Sequence, residues 1–376
     1  MISIVSPNHP VYGFESYNLL SDRGLQKAIA SGEIRITPAP TRNQIQPASL
    51  DVRIGQVKLY DDEVRVRVAE KMNSLSFFEL LDYEPTDEFA KVISNQKDAP
   101  IVIPPKAYAE IYFNEQINFD PKDYSVRLDL RSSRGRLGLS LDSMLVKESE
   151  EGKYVSLINN NPNPIVLYGQ SKFGQLFFYP YDIEKSDGYI VTDPEEAALI
   201  ASNICVGDFE MYGPYVLLTV GDKVMKFKKN IGPIDTVKKR AKEEMYDTYG
   251  TLDGVILSPR ESVICQLYPQ LKLPSEIGLQ ILHYVPAVHS GFGGVGPDPN
   301  MLLIDNHSVN AGWVDPGYEG FVTAHPIRRK FRDRLYKGKP IALGLIYKYD
   351  QGVEVPYGSE VLGSHYQGSK GSVSRS

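Results

Sequence analysis

Short segments rich in β-branched and aromatic residues recur in the same order in the two halves of this 376-residue chain, and this recurrence is the strongest constraint on its fold. The paired segments share opening prolines or glycine turns. They are QPASLDVRIGQVKLY (46–60) with GPYVLLTVGDKVMKF (213–227), IPPKAYAEIYFNEQINFDPKD (103–123) with LSPRESVICQLYPQLKLPSEI (257–277), and YGQSKFGQLFFYPY (168–181) with YKGKPIALGLIYKYD (336–350). Chance similarity among strands would explain one pair, whereas three ordered pairs favour tandem copies of one mostly β domain.

The chain is also too long for one ordinary hydrophobic core. We predict a first β domain at 1–182, a linker at 183–211, a second β domain at 212–350 and a flexible C-terminal tail at 351–376. The tail is rich in Gly and Ser, a composition that builds no core and is typical of a mobile lid.

Three helices are predicted within this β framework. Ser21 or Asp22 is expected to cap an amphipathic helix that Gly32 ends, and Asp193 with Pro194 to start a short helix in the linker. The second copy carries an insertion, VKKRAKEEMYDTYG (237–250), whose i,i+4 charge spacing predicts an exposed helix.

Composition excludes several classes of protein. A formal net charge of -6 argues against a general nucleic-acid binder. The two cysteines form no CxxC pair, which excludes a disulfide framework and leaves no structural zinc site. No run of about eighteen apolar residues or signal peptide is found, so we expect a cytoplasmic protein that does not enter a membrane.

One basic segment has the chemistry of a phosphate site. Arg131-Ser132-Ser133-Arg134-Gly135-Arg136 follows a predicted strand and places guanidinium groups, hydroxyls and glycine-permitted backbone contacts together. The same composition is common in exposed basic loops, so the segment alone leaves both interpretations open.

A second segment, Asp315-Pro316-Gly317-Tyr318, predicts a hairpin tip between two β runs. Most such tips are only turns. This one carries a carboxylate able to orient water and a ring able to stack on a sugar or base.

Together these segments make the chain resemble the dCTP deaminase branch of the dUTPase superfamily. The resemblance rests on five segments in the family's order: SDRGLQKAIASGEIRI, IQPASLDVRIG, RSSRGRLGL, AGWVDPGYEG and HYQGSKGSVSR. It implies two distorted, jelly-roll-like β-barrel domains, active sites between neighbouring domains, a tail that closes over a triphosphate, and homo-oligomers. The segment from Arg131 to Arg136, called the RSS segment below, occurs only in the first copy. The segment from Asp315 to Tyr318, called the DPG segment or DPG turn, and the tail occur only in the second copy.

The resemblance also implies residue roles. Ser132 and Ser133 would hold phosphates with support from Arg131, and Arg136 would face the base and the reacting water. Asp315 would lie by the deoxyribose 3′-hydroxyl or position water, and Tyr318 would pack on the sugar. Four further residues are placed at the site or its lid: Gln175, Tyr366, Gln367 and Lys370. Mg²⁺ would be bound through the triphosphate.

One position departs from the family pattern. Counting from Asp315, the glutamate that shuttles protons in the family falls at His325. An imidazole titrates near neutral pH and is able to take that role, although a lone histidine before a proline is also typical of a structural residue. The chain lacks the H-x-E and P-C-x-x-C motifs of zinc deaminases, so deamination is expected to proceed without zinc.

Three functions therefore stand as hypotheses. The first is hydrolytic deamination of dCTP to dUTP and ammonia. The second is a dUTPase-like pyrophosphatase, which directs water at the α-phosphorus and needs no glutamate at position 325. The third is a nucleotide-binding homologue without catalytic activity.

Overall fold

The fold is described from a computed structural model, which describes residues 18–60, 90–93, 96–141, 146–149, 152–238, 241–258, 261–283, 308–309, 312–328, 333–362 and 366–370. The predicted fold class, mostly β with a few short helices, is confirmed. Neither length nor hydropathy would let any helix in this part of the chain span a lipid bilayer.

We call residues 18–180 the first half and residues 188–370 the second half. The strands of the first half are β1 Asn18–Leu19, β2 Arg35–Thr37, β3 Ile45–Gln46, β4 Ser49–Tyr60, β5 Lys91–Ile93, β6 Pro100–Ile103, β7 Tyr108–Phe113, β8 Gln116–Asn118, β9 Tyr124–Leu130, β10 Leu139–Leu141, β11 Lys147–Ser149, β12 Gly152–Asn159, β13 Ile165–Tyr168 and β14 Lys172–Pro180.

The strands of the second half are β15 Gly188–Ile190, β16 Cys205–Val206, β17 Glu210–Tyr212, β18 Tyr215–Phe227, β19 Ile234–Asp235, β20 Tyr246–Gly250, β21 Val255–Leu257, β22 Ser262–Tyr268, β23 Gln270–Lys272, β24 Ile277–His283, β25 Ser308–Val309, β26 Trp313–Val314, β27 Glu319–Phe321, β28 Thr323–Arg328, β29 Asp333–Leu335, β30 Pro340–Tyr349 and β31 Ser369–Lys370. The helices are α1 Asp22–Ser31, α2 Ser132–Gly135, α3 Pro194–Ile204 and α4 Lys242–Met245, with 3₁₀ turns at Arg42–Gln44 and Ile183–Lys185.

The main sheets of the two halves share one strand order. In the first half the order is β12, β7, β4, β14, β9, and in the second it is β28, β22, β18, β30, β24, with every neighbouring pair antiparallel. The recurring sequence segments occupy matching places, since β4 corresponds to β18, β7 to β22 and β14 to β30. The tandem β architecture is therefore confirmed, while the domain bounds drawn from the sequence stay predictions.

The caps of both long helices are as predicted. Ser21 is the N-cap of α1 and its hydroxyl accepts from the backbone N–H of Arg23 and Gly24, while Gly32 ends the helix at φ 81°. Asp193 caps α3 and Pro194 is its first residue. Helix α3 lies in the predicted linker, yet its Ala197, Ala201 and Ile204 are buried in the core of the second half. It packs as part of that half.

The prediction of a helix for the insertion is wrong over most of the segment's length. Only Lys242–Met245 is helical, and residues 246–250 form β20, which pairs with β18. The reason is tertiary burial, because Met245 and Tyr246 are packed in the core of the first half. Burying two large side chains contributes several times more than i,i+4 charge pairs worth about 0.2–0.5 kcal/mol each.

The two halves are joined by a third cluster of buried residues and by a shared sheet. Phe177 and Tyr179 of the first half pack in this cluster with Leu343, Leu345 and Tyr347 of the second. In addition, β19 of the second half pairs in parallel with β13 of the first. The halves are thereby held in one relative position by apolar contact and by backbone hydrogen bonds.

We expect Leu345→Ala to lower the free energy of unfolding by about 2–5 kcal/mol, because Leu345 is fully buried between the halves and its loss leaves a cavity. The matched control is Leu252→Ala, at a side chain that is 84% exposed, with an expected change within about 0.5 kcal/mol. Urea unfolding of both variants measures this, and equal effects would contradict the role given to the cluster.

Candidate functional site

A pocket lies where the RSS segment of the first half meets the DPG segment of the second. Both segments belong to the same chain, so the pocket is formed within one molecule. The residues that line it from the first half are Asp129, Leu130, Ser132, Gly135, Arg136 and Gln175. Those from the second half are Gly312, Trp313, Val314, Asp315, Tyr318, Val322, Thr323, Tyr357 and Tyr366.

The RSS segment begins directly after β9 and forms the one-turn helix α2. Arg131 Nη1 lies 3.3 Å from a carboxylate oxygen of Asp51, a fully buried residue of β4, and Lys172 Nζ lies 3.1 Å from the same oxygen. Ser132 and Ser133 follow, and both are half-buried. Two cations held by Asp51 and two neighbouring hydroxyls thus lie at one edge of the pocket, an arrangement suited to several phosphate oxygens.

A third cation, Arg134, adds positive charge to this edge. Arg134 donates from Nε and Nη2 to the backbone oxygen of Lys172 at 3.4 and 3.3 Å. Burial, together with the charge on Arg131, lowers the pKa of Arg134 to about 10, so this guanidinium remains charged near neutral pH. An anion bound here would relieve the repulsion between the two arginines.

Arg136 is the most constrained cation of the pocket. Its side chain is 4% exposed, its Nε donates to Thr323 Oγ1 at 3.0 Å, and its guanidinium carbon lies 3.7 Å from the centre of the Tyr366 ring. Within the described part of the chain, the buried Nη1 makes no hydrogen bond. A buried donor of this kind normally has a partner, so Nη1 is available to a ligand in the pocket.

The DPG turn presents Asp315 and Tyr318 to the same pocket. The backbone N–H of Tyr318 donates to the backbone oxygen of Asp315 at 3.1 Å, and Gly317 adopts φ 90° within the turn. The turn is confirmed, but the predicted hairpin is not formed, because β26 pairs with β24 whereas β27 pairs with β23 and β31. The turn therefore connects two sheets.

The environment of the Asp315 carboxyl disfavours its ionised form. Burial, followed by the charge of nearby Asp51, raises its pKa to about 7. Its Oδ1 is buried and has no hydrogen-bond partner among the described residues. Near neutral pH this group is shared between its acid and its carboxylate, so it is able either to donate to or to accept from a ligand.

The tail docks on the DPG turn. β31 pairs in parallel with β27, and Gln367 both donates from Nε2 to the Gly317 oxygen at 3.1 Å and accepts from the Glu319 N–H at 3.2 Å. The backbone N–H of Tyr366 donates to the Tyr357 hydroxyl at 3.1 Å. The early tail is anchored as well, since the Asp22 carboxylate accepts from the N–H groups of residues 354 and 355.

The predicted site residues divide by position. Those that line the pocket are Ser132, Arg136, Gln175, Asp315, Tyr318 and Tyr366, and those beside the pocket are Arg131 and Ser133. Gln367 and Lys370 are exposed and belong to the docked tail strand, so neither lines the pocket as the structure has it. Position 325 lies on β28, two residues after Thr323, and its side chain lies outside the described residues. The role of each stays a prediction.

Asp129 and Tyr357 are among the pocket residues that the sequence reasoning missed. Asp129 is 4% exposed, and its carboxylate lies 3.5 Å from Arg127 Nε. The only sequence signal for it was its place two residues before Arg131. Tyr357, which packs 5.7 Å from the Tyr318 ring, comes from the tail and had no signal beyond its aromatic ring.

The described residues contain no group of three or more His, Cys, Asp or Glu side chains arranged to hold a metal ion. The expected Mg²⁺ would take its ligands from a triphosphate, so its binding stays a prediction. The basic RSS edge, with Arg131 and Lys172, is where the phosphates of such a triphosphate are expected.

The chain is similar in sequence and in fold to known proteins. A family model described as dCTP deaminase-like matches residues 19–181. The "dCTP deaminase, dUMP-forming" of Corynebacterium jeikeium is 30% identical over 165 residues, which are 43% of this chain and 80% of that protein. The protein of the same description from Methanosphaera stadtmanae is 27% identical over 164 residues, 43% of this chain and 78% of that protein.

A solved structure extends the likeness over both halves. The 2′-deoxycytidine 5′-triphosphate deaminase of Agrobacterium tumefaciens matches with a TM-score of 0.65 at 15% sequence identity. The match covers 89% of this chain and 99% of the other. At that identity it shows a shared fold.

The raised pKa of Asp315 predicts a pH dependence of stability. Between pH 3.8 and about 7 the unfolded chain loses the Asp315 proton while the folded chain keeps it, so folding is disfavoured as pH rises through this range. We expect Asp315→Asn to gain free energy of unfolding relative to the native chain over that interval, and the difference to level off above it. Asp350→Asn, at an exposed turn, is the control. A difference independent of pH, measured by urea unfolding, would contradict the assignment.

Proposed function

Since the chain belongs to the dCTP deaminase family, we propose that it hydrolyses dCTP to dUTP and ammonia in the pocket between its two halves. The observation that carries the proposal is that the RSS segment, the DPG turn and the docked tail line one pocket although they lie far apart in the sequence. A pocket with a basic edge, two neighbouring serines and a buried unpaired arginine donor fits an anionic nucleotide.

The geometry supports separate binding regions in the pocket for the triphosphate, the sugar and the base. The triphosphate is placed at Arg131, Ser132 and Ser133, where the cations and hydroxyls lie, and it brings Mg²⁺ with it. The deoxyribose is placed against Tyr318 and Asp315, with a ring to pack on and a carboxyl to bind the 3′-hydroxyl. The base then extends toward Arg136.

In the deamination step, water adds to C4 of the cytosine ring and the amino group leaves as ammonia. The reaction needs a group that takes a proton from the water and delivers one to the departing nitrogen. Arg136 Nη1 is placed to orient that water or to stabilise the charge that develops on the ring. No zinc is proposed, because the motifs that hold it in zinc deaminases are absent.

A second candidate function is favoured by the names of the relatives. Those from Corynebacterium and Methanosphaera are described as dUMP-forming, which adds cleavage between the α- and β-phosphorus. Asp315, near the RSS edge and half-ionised near neutral pH, is able to position water for that step. The chain would then release dUMP, pyrophosphate and ammonia from dCTP.

Product analysis tests both candidates. Incubation with dCTP and separately with dUTP, each with Mg²⁺, is expected to release ammonia from dCTP, and pyrophosphate as well if the second step occurs. Pyrophosphate from dUTP without ammonia from dCTP would indicate the pyrophosphatase instead. Binding of either nucleotide without any product would indicate a homologue that has lost activity.

We expect Arg136→Ala to lower ammonia release by about 10²–10³, the usual effect of removing one preorganised donor. Asp315→Ala is expected to lower it as well, mainly through KM, since the group is placed beside the sugar. Arg35→Ala, at an exposed arginine, is the matched control and should leave the rate unchanged. Activity that survives in Arg136→Ala would contradict the placement of the base.

The proton carrier is tested by two variants that conserve volume. We expect His325→Gln to lower kcat while leaving the affinity for dCTP within a factor of about two, because glutamine cannot exchange a proton near neutral pH. Trp313 lines the pocket, so its fluorescence reports the affinity. An unchanged kcat would exclude His325 and make Asp129, the remaining carboxylate in the pocket, the residue to test as Asp129→Asn.

A further inference from the structure

We propose that Tyr246, in the insertion of the second half, is a positioning residue for Arg136 and thereby sets the activity of the pocket. The inference rests on the proposed function for its kinetic readout. Tyr246 does not line the pocket, so it acts on a ligand only through the arginine.

The contact is made to the backbone of Arg136. The Tyr246 hydroxyl donates to the backbone oxygen of Arg136 at 2.8 Å, and both residues are buried, with exposures of 3% and 4%. No backbone N–H in the described part of the chain donates to this oxygen. Removing the hydroxyl therefore leaves a buried carbonyl without its partner. This loss lowers the free energy of unfolding by more than the loss of a solvent-exposed hydrogen bond does, because water cannot replace the donor.

Packing fixes the backbone that follows Arg136. The rings of Tyr246 and Phe227 lie 5.1 Å apart, and Phe227 reaches Gly138 so closely that a Cβ there would lie 3.2 Å from its Cζ. Gly138 also adopts φ +91°, a conformation that favours glycine. The short stretch from Arg136 to Gly138 is thus held against β18 and β20 of the second half.

The guanidinium end of Arg136 is held by two other segments of the second half. Thr323 on β28 accepts from Nε, and the ring of Tyr366 lies beneath the guanidinium plane. Together with Tyr246 these contacts fix the residue at its backbone and at its side chain, and they leave Nη1 as the unpaired donor. The direction of this donor therefore depends on the insertion as well as on the pocket wall.

Burial of Tyr246 raises the pKa of its hydroxyl, so the group stays protonated and remains a donor throughout the pH range of an assay. A purely structural role for Tyr246 predicts a different outcome from a positioning role. Loss of packing would lower stability without any special link to Arg136, whereas positioning requires the two residues to be coupled.

The test is a double-mutant cycle with Tyr246→Phe and Arg136→Lys, which keeps a cation but lacks the planar guanidinium. We expect Tyr246→Phe to lower kcat/KM for ammonia release by about tenfold in the native background, as for loss of one hydrogen bond. In the Arg136→Lys background we expect less than about a twofold further loss, because the geometry that the hydroxyl maintains is already gone.

Tyr168→Phe is the matched control. The Tyr168 hydroxyl donates to Asp235 Oδ2 at 2.7 Å, so it also joins the first half to the segment between β18 and β20, but its partner is Asp235 and not Arg136. We expect this variant to leave kcat/KM within a factor of about two, whatever it does to the melting temperature. Equal losses in Tyr246→Phe and Tyr168→Phe would overturn the proposal, as would losses for Tyr246→Phe that are the same in both backgrounds.

A failure of the proposed function can be distinguished from a failure of the positioning role of Tyr246. If the native chain releases no ammonia, the same cycle is measured on the dissociation constant for dCTP with Mg²⁺, by Trp313 fluorescence. Coupling between Tyr246 and Arg136 in that constant would support positioning in a binding protein. Additive effects on the constant, or no dCTP binding by the native chain, would overturn it.

Discussion

The burial of aromatic and aliphatic side chains between the two halves is the interaction on which the pocket depends. Phe177 and Tyr347 pack with Trp313 at ring distances of 5.4 and 5.1 Å, so this residue, two positions before Asp315 of the DPG turn, is held by both halves. Gly278 leaves room for that indole, since a Cβ there would lie 2.5 Å from Trp313 Cζ2. The same apolar contact therefore joins the halves and places one wall of the site.

Only some of the cations around this apolar cluster are paired with a carboxylate. Asp51 is fully buried and lies beside Arg131 and Lys172, while Arg134 and Arg136 have no carboxylate within ion-pair distance among the described residues. Asp315 faces the same region with a raised pKa. A polyanion would compensate the cations but would oppose ionisation of Asp315, so ligand charge and the protonation of that group are linked through Asp51 and the arginines.

Features of the fold and the site that depend on residues close together in the sequence were predictable, whereas features that depend on contacts between distant segments were not. The tandem β order followed from local strand and turn signals that recur in the sequence, and the caps at Ser21 and Asp193 followed from local backbone chemistry. Asp129, Tyr357 and Tyr246 were not identified, because their roles arise only when distant segments meet. The insertion was assigned to a helix from its charges, and the burial of Met245 and Tyr246 decided otherwise.

The same distinction explains the tail. Its Gly- and Ser-rich composition predicts mobility, but composition does not report the backbone partner that β27 offers to β31. That partner depends on Gly320, whose φ of +141° and missing Cβ let Ser369 approach, since a Cβ would lie 2.7 Å from its backbone nitrogen. Docking there brings Tyr366 onto Arg136 and Gln367 onto the DPG turn. A tail without a core of its own thus finds a backbone partner beside a glycine some fifty residues earlier, and through that pairing Tyr366 comes to lie against Arg136.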